Sequence, residues 1–475
     1  MDYSKLGLKA GLEIHQQLDT GKLFSRTPSL LRNDEPDYEI RRRLHRVAGE
    51  GGEVDIAVEH EASLGKEFIY QGYNDTISLV ELDEAPPQEI DSNALNEAIK
   101  IALILKCEIY PVSQIMRKTV IDGSNTSGFQ RSVLIGHNGF VETSYGKVGI
   151  ESIALEEDAA RIIERDDKKA VFRLDRLGIP LVEITTKPEL KTPEEIKETA
   201  LKIGEILRAC RVKRGIGTIR QDLNISIKGH DRVEIKGFQE PRIMVKTVEM
   251  EIERQEKDKE KVGGVRNAKK DGTTEFLRPI PGSARMYPEA DLELLKISRD
   301  KINGLKKELP KLKADIEGEL KGRGLSSELI GLVLKGNLEE FNVLVQVCKD
   351  SNLVGKMVSL WRSELAKKGG KSLDEVKEIL NERILEEILE RVNFGDISKG
   401  DVKDIMKDIL DGKSLGEAIK IEKAGDDETE EEIRKIIKEK PGLGVNAYMG
   451  LVMQKFKGKI DAKRAMEILN KLVNE

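Results

Sequence analysis

The hydrophobic period of this chain changes once, near residue 291, and that change limits the fold more than any other feature. Before it, apolar residues recur at alternate positions in short runs bounded by glycine or proline. Lys147 to Ala159, Ile179 to Pro188, Ile216 to Gly229 and Arg232 to Phe238 are examples. Period two with such boundaries predicts β-strands. After about residue 300 the spacing becomes three to four. Ile384, Leu385, Ile388, Leu389 and Val392 form one helical stripe, and Ala465, Ile468, Leu469, Leu472 and Val473 form another. Two helices are also expected inside the strand-rich part. Leu95, Ile99, Leu103 and Ile104 share one face of the first, and the second starts with Thr192 as N-cap, Pro193 at N1 and acids in its first turn.

The expected fold class is α+β: a large domain with a mixed or antiparallel sheet over residues 1–295, followed by an all-helical C-terminal region. That region divides into a helical domain, 296–394, and a tail, 395–475. A length of 475 residues agrees with about three domains. The junction at Gly263 and Gly264 reads as a turn between a charged helix and a polar loop.

Composition narrows the function classes. Charged residues make up 35% of the chain and aromatics 4%, with a net charge of −6, which disfavours a general nucleic-acid coat. Local basic clusters remain, at Arg41 to Arg46, at Arg208 to Gly215 and in the last 35 residues, where six Lys or Arg face three acids. Cys107, Cys210 and Cys348 are too scattered for a metal knuckle or a disulfide framework. No apolar run approaches the ~20 residues that span a bilayer, and the N-terminus has no signal-peptide pattern. The expectation is a cytoplasmic protein without a membrane segment.

Polar residues interrupt several apolar runs. In "GLEIHQQL", Glu13 and His15 are two apart and project from one strand face. Glu183 stands within "IPLVEITT", and "ALEEDAA" sets Glu156, Glu157 and Asp158 at the end of another run. A buried carboxylate needs a partner. Carboxylates with one imidazole suit Mg²⁺ or Mn²⁺ better than Zn²⁺. The residues alone leave two readings open, a divalent-cation site and ordinary solvated strand faces. "DGSNTSGFQRS", preceded by Arg117 and Lys118, could offer hydroxyls, backbone N–H groups and cations to phosphates. No nucleophile elbow, Walker A loop or dinucleotide fingerprint occurs.

Taken in order, "GLEIHQQL…KLF", "GEGGEVDIA", "TSGFQRS", "LEEDAAR", "RLGIPLVEITTKPEL", "IRQDLNISI" and "PIPGSARMYPEADL" resemble the GatB/GatE family of tRNA-dependent amidotransferase subunits. "RVAGEGGEVDIAVEHEA" and "SARMYPE" look closer to its archaeal E branch than to its bacterial B branch. The resemblance spans residues 1 to about 295, with a looser, YqeY-like match in the tail. It implies a cradle domain that uses ATP to phosphorylate the γ-carboxylate of glutamate on tRNA(Gln). Ammonia from an asparaginase-like glutaminase partner, the D-type subunit, then displaces the phosphate within a hetero-oligomer. It further implies that Glu13, His15, Glu157 and Glu183 are the catalytic, Mg²⁺-binding residues, with Glu156 and Asp158 flanking them. Lys118 and Arg131 become candidates for ATP or the tRNA 3′ end, and Lys455, Lys457, Lys459, Lys463 and Arg464 for the tRNA body. "KLFSRTPSLL" departs from relatives with a cysteine knuckle, so no zinc is expected, and an inserted synthetase-like domain before "DGTTEFLRP" is missing. Without the resemblance, the residues would suit a metal-dependent hydrolase; a bacterial-type B protein acting also on Asp-tRNA(Asn), or a non-catalytic tRNA-binding relative, are the alternatives within it.

Overall fold

A computed structural model describes the chain except for residues 44–58, 60–62, 64, 167, 239–240, 281–285, 420–425, 442–443, 457–461 and 474–475. The fold is α+β, and the chain separates into two compact units, Met1–Lys313 and Ala314–Glu475. Among the described residues no helix is long and apolar enough to cross a membrane.

The first unit is built on one large sheet. Its main strands are β1 (Lys9–Gln17), β2 (Met116–Thr119), β3 (Phe129–Thr143), β4 (Gly146–Glu157), β5 (Pro180–Thr186), β6 (Ile219–Ser226), β7 (Val233–Phe238), β8 (Gly264–Ala268), β9 (Thr274–Arg278) and β10 (Met286–Pro288). They lie in the order β9-β8-β7-β6-β1-β5-β4-β3-β2-β10, with Glu108–Ile109 added beside β3. All neighbours on this path are antiparallel except β7 and β8. Alternation along the strands separates the two faces. Leu12, Ile14, Ile153, Leu155, Val182, Ile184, Leu223 and Ile235 point to one side and are buried there. They share one core with three helices, α1 (Ser92–Ile104), α2 (Pro193–Ala209) and α3 (Pro241–Lys257), through Ile99, Ile203 and Val248. Helix α2 starts as its sequence predicts, with the Thr192 hydroxyl accepting from Glu195 N and Pro193 at the first helical position. The opposite sheet face keeps polar members of the central strands, among them Glu13, His15, Glu183 and Asp222.

A second, four-stranded sheet joins Tyr38–Arg42, Glu67–Gly72, Lys169–Arg173 and Arg161–Arg165 around Phe68, Tyr70 and Phe172. The Gly263–Gly264 pair has a steric reason. A Cβ on Gly263 would stand 2.3 Å from the Arg232 carbonyl oxygen, so β8 can run beside β7 only with glycine there.

The second unit is helical, with two apolar clusters. One runs from Leu320 to Ala418 and includes Val402, Ile405 and Met406 of helix Val402–Leu410. The other joins Ile433, Tyr448, Val452, Ala465 and Leu469 in the last three helices. Leu385, Ile388 and Leu389 bury the expected stripe of helix Glu382–Phe394, with Ile384 and Val392 packed partly against it.

Candidate active site

Glu13 and His15 stand on the polar face because Leu12 and Ile14 take the core face of β1. Strand pairing supplies their neighbours. His15 lies opposite Glu183 on β5 and opposite Arg220 on β6, and Glu13 lies opposite Asp222. Across β4 and β5, Glu156 pairs with Leu181. These side chains line one cavity of about 510 Å³, together with Ser124 and Asn125 from the loop ahead of β3.

At its centre, His15 Nε2 is 3.1 Å from Glu183 Oε2 and 3.5 Å from Glu13 Oε1. One ligand atom from each of the three residues lies within 4.8 Å of the other two. Such a set could hold a divalent cation through two carboxylate oxygens and an imidazole nitrogen. Without a cation, a proton takes that place. Burial pulls the His15 imidazole down, but the Glu183 hydrogen bond and the charges of Glu183 and Glu13 outweigh it and bring it up to about 9. Burial, then the Glu183 charge, push the Glu13 carboxyl up to about 7. Burial opposes the Glu183 charge too, yet Lys118 and His15 hold that carboxyl well below the usual range.

Cations surround the trio. Lys118 Nζ donates to Glu156 Oε1 at 2.5 Å and lies 3.8 Å from Glu183 Oε2. Lys236 Nζ sits between Asp222 Oδ2, 2.8 Å away, and Glu234 Oε1, 2.5 Å away. Arg220 Nη2 donates to Asp158 Oδ1 at 2.8 Å. Asp158 is buried and also accepts from Gln17 Nε2 at 2.6 Å. Burial would raise its pKa, but Arg220, Arg176 and Gln17 together hold it low.

The structure thus brings Glu13, His15, Glu183 and Lys118 together and adds Glu156 and Asp158. Glu157 is not with them. It follows Glu156 on β4 and therefore points to the opposite face, where its Oε2 accepts from Arg131 N at 3.2 Å and lies 3.4 Å from Arg131 Nη1. Arg131 is on that side as well, with Nε 2.8 Å from Glu289 Oε2. Burial raises the Glu157 carboxyl, against the pull of Arg131. Lys455 belongs to helix Val445–Phe456, and Lys463 and Arg464 to helix Ala462–Val473, while Lys457 and Lys459 lie outside the described residues. The expected reading missed Arg220, Asp222, Glu234 and Lys236. Their signal was present, since Arg220, Asp222 and Asn224 alternate with Leu223 and Ile225 just as Glu13 and His15 alternate with Leu12 and Ile14.

Comparison with known proteins gives these residues a context. Residues 8–303 match the family model described as the GatB/GatE catalytic domain. The chain is 35% identical to the glutamyl-tRNA(Gln) amidotransferase E subunit of Methanocaldococcus jannaschii over 632 aligned positions, which cover all of both chains. With 475 residues here, that relative carries long stretches that have no counterpart in this chain. The E subunit of Methanothermobacter thermautotrophicus is 34% identical over 86% of this chain and 88% of its own. That of Pyrococcus horikoshii is 54% identical over 257 residues, which are 54% of this chain and 40% of its own.

Proposed function

The chain belongs to the GatB/GatE family, and from that premise we propose that it is the ATP-using component of a glutamyl-tRNA(Gln) amidotransferase. Its substrate is glutamate esterified to tRNA(Gln), and its product is glutamine on the same tRNA. The observation that carries this reading is the cavity that sets Glu13, His15 and Glu183 among Lys118, Arg220 and Lys236.

A carboxylate does not accept ammonia until one of its oxygens becomes a leaving group. In the first step a γ-carboxylate oxygen of the glutamyl group attacks the γ-phosphorus of ATP. The bond to the bridging oxygen breaks, and ADP departs with the electron pair. In the second step the ammonia nitrogen attacks the acyl carbon, phosphate leaves with its electron pair, and the nitrogen gives up a proton. The chain's residues bind and orient both anions. The separation of Glu13, His15 and Glu183 fits Mg²⁺, with Glu156 beside them. Bound Mg²⁺ would neutralise phosphate charge between nucleotide and carboxylate. Lys118, Arg220 and Lys236 alternate with carboxylates along the cavity wall.

An asparaginase-like glutaminase partner supplies the ammonia, and the tail, through the six Lys or Arg against three acids in its last 35 residues, contacts the tRNA body. The test is coexpression with candidate glutaminase partners and measurement of ATP- and glutamine-dependent conversion of Glu-tRNA(Gln). High ammonium should replace glutamine, and the chain alone should release no ammonia from glutamine. Robust glutaminase activity from the single chain, or amidation that needs no ATP, would overturn the reading.

A further inference from the structure

The cations of the cavity differ in how many of their donors the protein already uses. Lys236 is clamped between two carboxylates, and Lys118 is committed to Glu156 with Glu183 nearby. A guanidinium carries five N–H donors in one plane. Arg220 makes a single side-chain hydrogen bond to the described residues, from Nη2 to Asp158. Its side chain is 35% exposed and lines the cavity directly across the strand pair from His15.

The carboxylate that holds Arg220 is itself rigidly placed. Asp158 is 1% exposed, and its two oxygens take Gln17 Nε2, Ala159 N and Arg220. A second guanidinium, Arg176, lies 3.8 Å away, but its donors go to the carbonyl oxygens of Ala159 and Ala160. Asp222 and Glu156 act on Arg220 as well, so Arg220 stands among carboxylates. Arg176 spends two of its five donors and Arg220 one, and of the two only Arg220 lines the cavity. A planar fork with free N–H groups suits the oxygens of a phosphoryl group, and charge on those oxygens changes during its transfer.

We propose that Arg220 is a catalytic residue that donates hydrogen bonds to the phosphoryl group as it passes from the nucleotide to the substrate carboxylate. The inference rests on the kinase reading of this cavity given above. The bond that forms is between carboxylate oxygen and γ-phosphorus, and the one that breaks is between γ-phosphorus and the bridging oxygen. Arg220 exchanges no proton in either event.

The experiment uses the complex with its glutaminase partner, ATP and Glu-tRNA(Gln), and traps the acyl phosphate with hydroxylamine as the hydroxamate. Arg220→Ala should slow trapping by about 10²- to 10⁵-fold, the span from losing one transition-state hydrogen-bond donor to losing an arginine finger. Arg220→Lys keeps the charge beside Asp158 and loses the fork, so it should slow trapping at least about tenfold. Millimolar guanidinium ion should restore part of the Arg220→Ala rate and none of the Glu183→Gln rate. Trapping by Arg220→Ala within threefold of the unaltered complex would overturn the assignment. If the alanine variant does not melt cooperatively, the lysine variant decides, and a rate within twofold of wild type overturns it. Failure of the unaltered complex to form any hydroxamate would instead overturn the kinase reading, and Arg220 would fall with it.

Discussion

Replacing Glu183 by Gln tests the candidate cation site through proton competition. For His15 to offer Nε2 to a cation it must first lose a proton. Its pKa near 9 puts pH 7 two units below, which corresponds to about 2.7 kcal/mol against binding. Apparent affinity should therefore weaken about tenfold for each pH unit between 9 and 7, and more steeply below about 7, where Glu13 also holds a proton. The Glu183→Gln change removes the hydrogen bond and charge that raise His15, and burial then dominates and lowers it. The slope between pH 7 and 9 should flatten. At pH 9 the variant also loses one anionic ligand. A unit charge near 4 Å is worth up to about 4 kcal/mol at an effective dielectric of 20, before desolvation is subtracted. A loss of about 2–4 kcal/mol, or roughly 30- to 1,000-fold in Kd, is expected. Titration with Mn²⁺ at pH 7, 8 and 9, reading free Mn²⁺ by electron paramagnetic resonance, measures both quantities. Affinity within threefold of wild type at pH 9, or an unchanged pH slope, would refute the reasoning.

Three further outcomes follow from other groups. In metal-stripped protein the raised His15 pKa contributes stability that is complete below pH 6.5 and lost as pH rises through about 9, and Glu13 acts in the same sense between its ordinary value and about 7; melting temperature should fall over that window, and less so in Glu183→Gln. In the helical unit Arg362, 1% exposed, lies 2.5 and 2.7 Å from the two carboxylate oxygens of Glu340. Glu340→Ala leaves that guanidinium uncompensated and should cost about 3–5 kcal/mol in urea unfolding of the full chain, whereas a change under about 0.5 kcal/mol would show the pair to be dispensable. Removing residues 426–475 spares the apolar cluster that ends at Ala418, so the rest should fold; tRNA affinity and its salt dependence should both drop, and an unchanged salt slope in filter binding would leave the tail without a tRNA role.

Local sequence determined a good deal of this protein. The shift from period two to period 3.6 marked where strands give way to helices, although the first unit runs on to Lys313 and takes Leu305 of helix Arg299–Lys307 into its core. Thr192 with Pro193 marked the start of α2. Parity along β1 was enough to put Glu13 and His15 on one face, since side chains alternate in any extended strand. Tertiary structure alone decided which carboxylate completes the trio. His15 and Glu183 are 168 residues apart in sequence, and only the register of β1 against β5 makes them neighbours. The same holds for Glu156 and Glu157. Three consecutive acids at a strand end carry no local mark of which one faces the cavity. The register of β4 against β5 turns Leu155 toward the helices and Glu156 toward the trio, leaving Glu157 with Arg131 on the other side. Alternation is a property of one strand, whereas register is set by burial of the opposite face across several, and a one-residue slip would exchange the two glutamates.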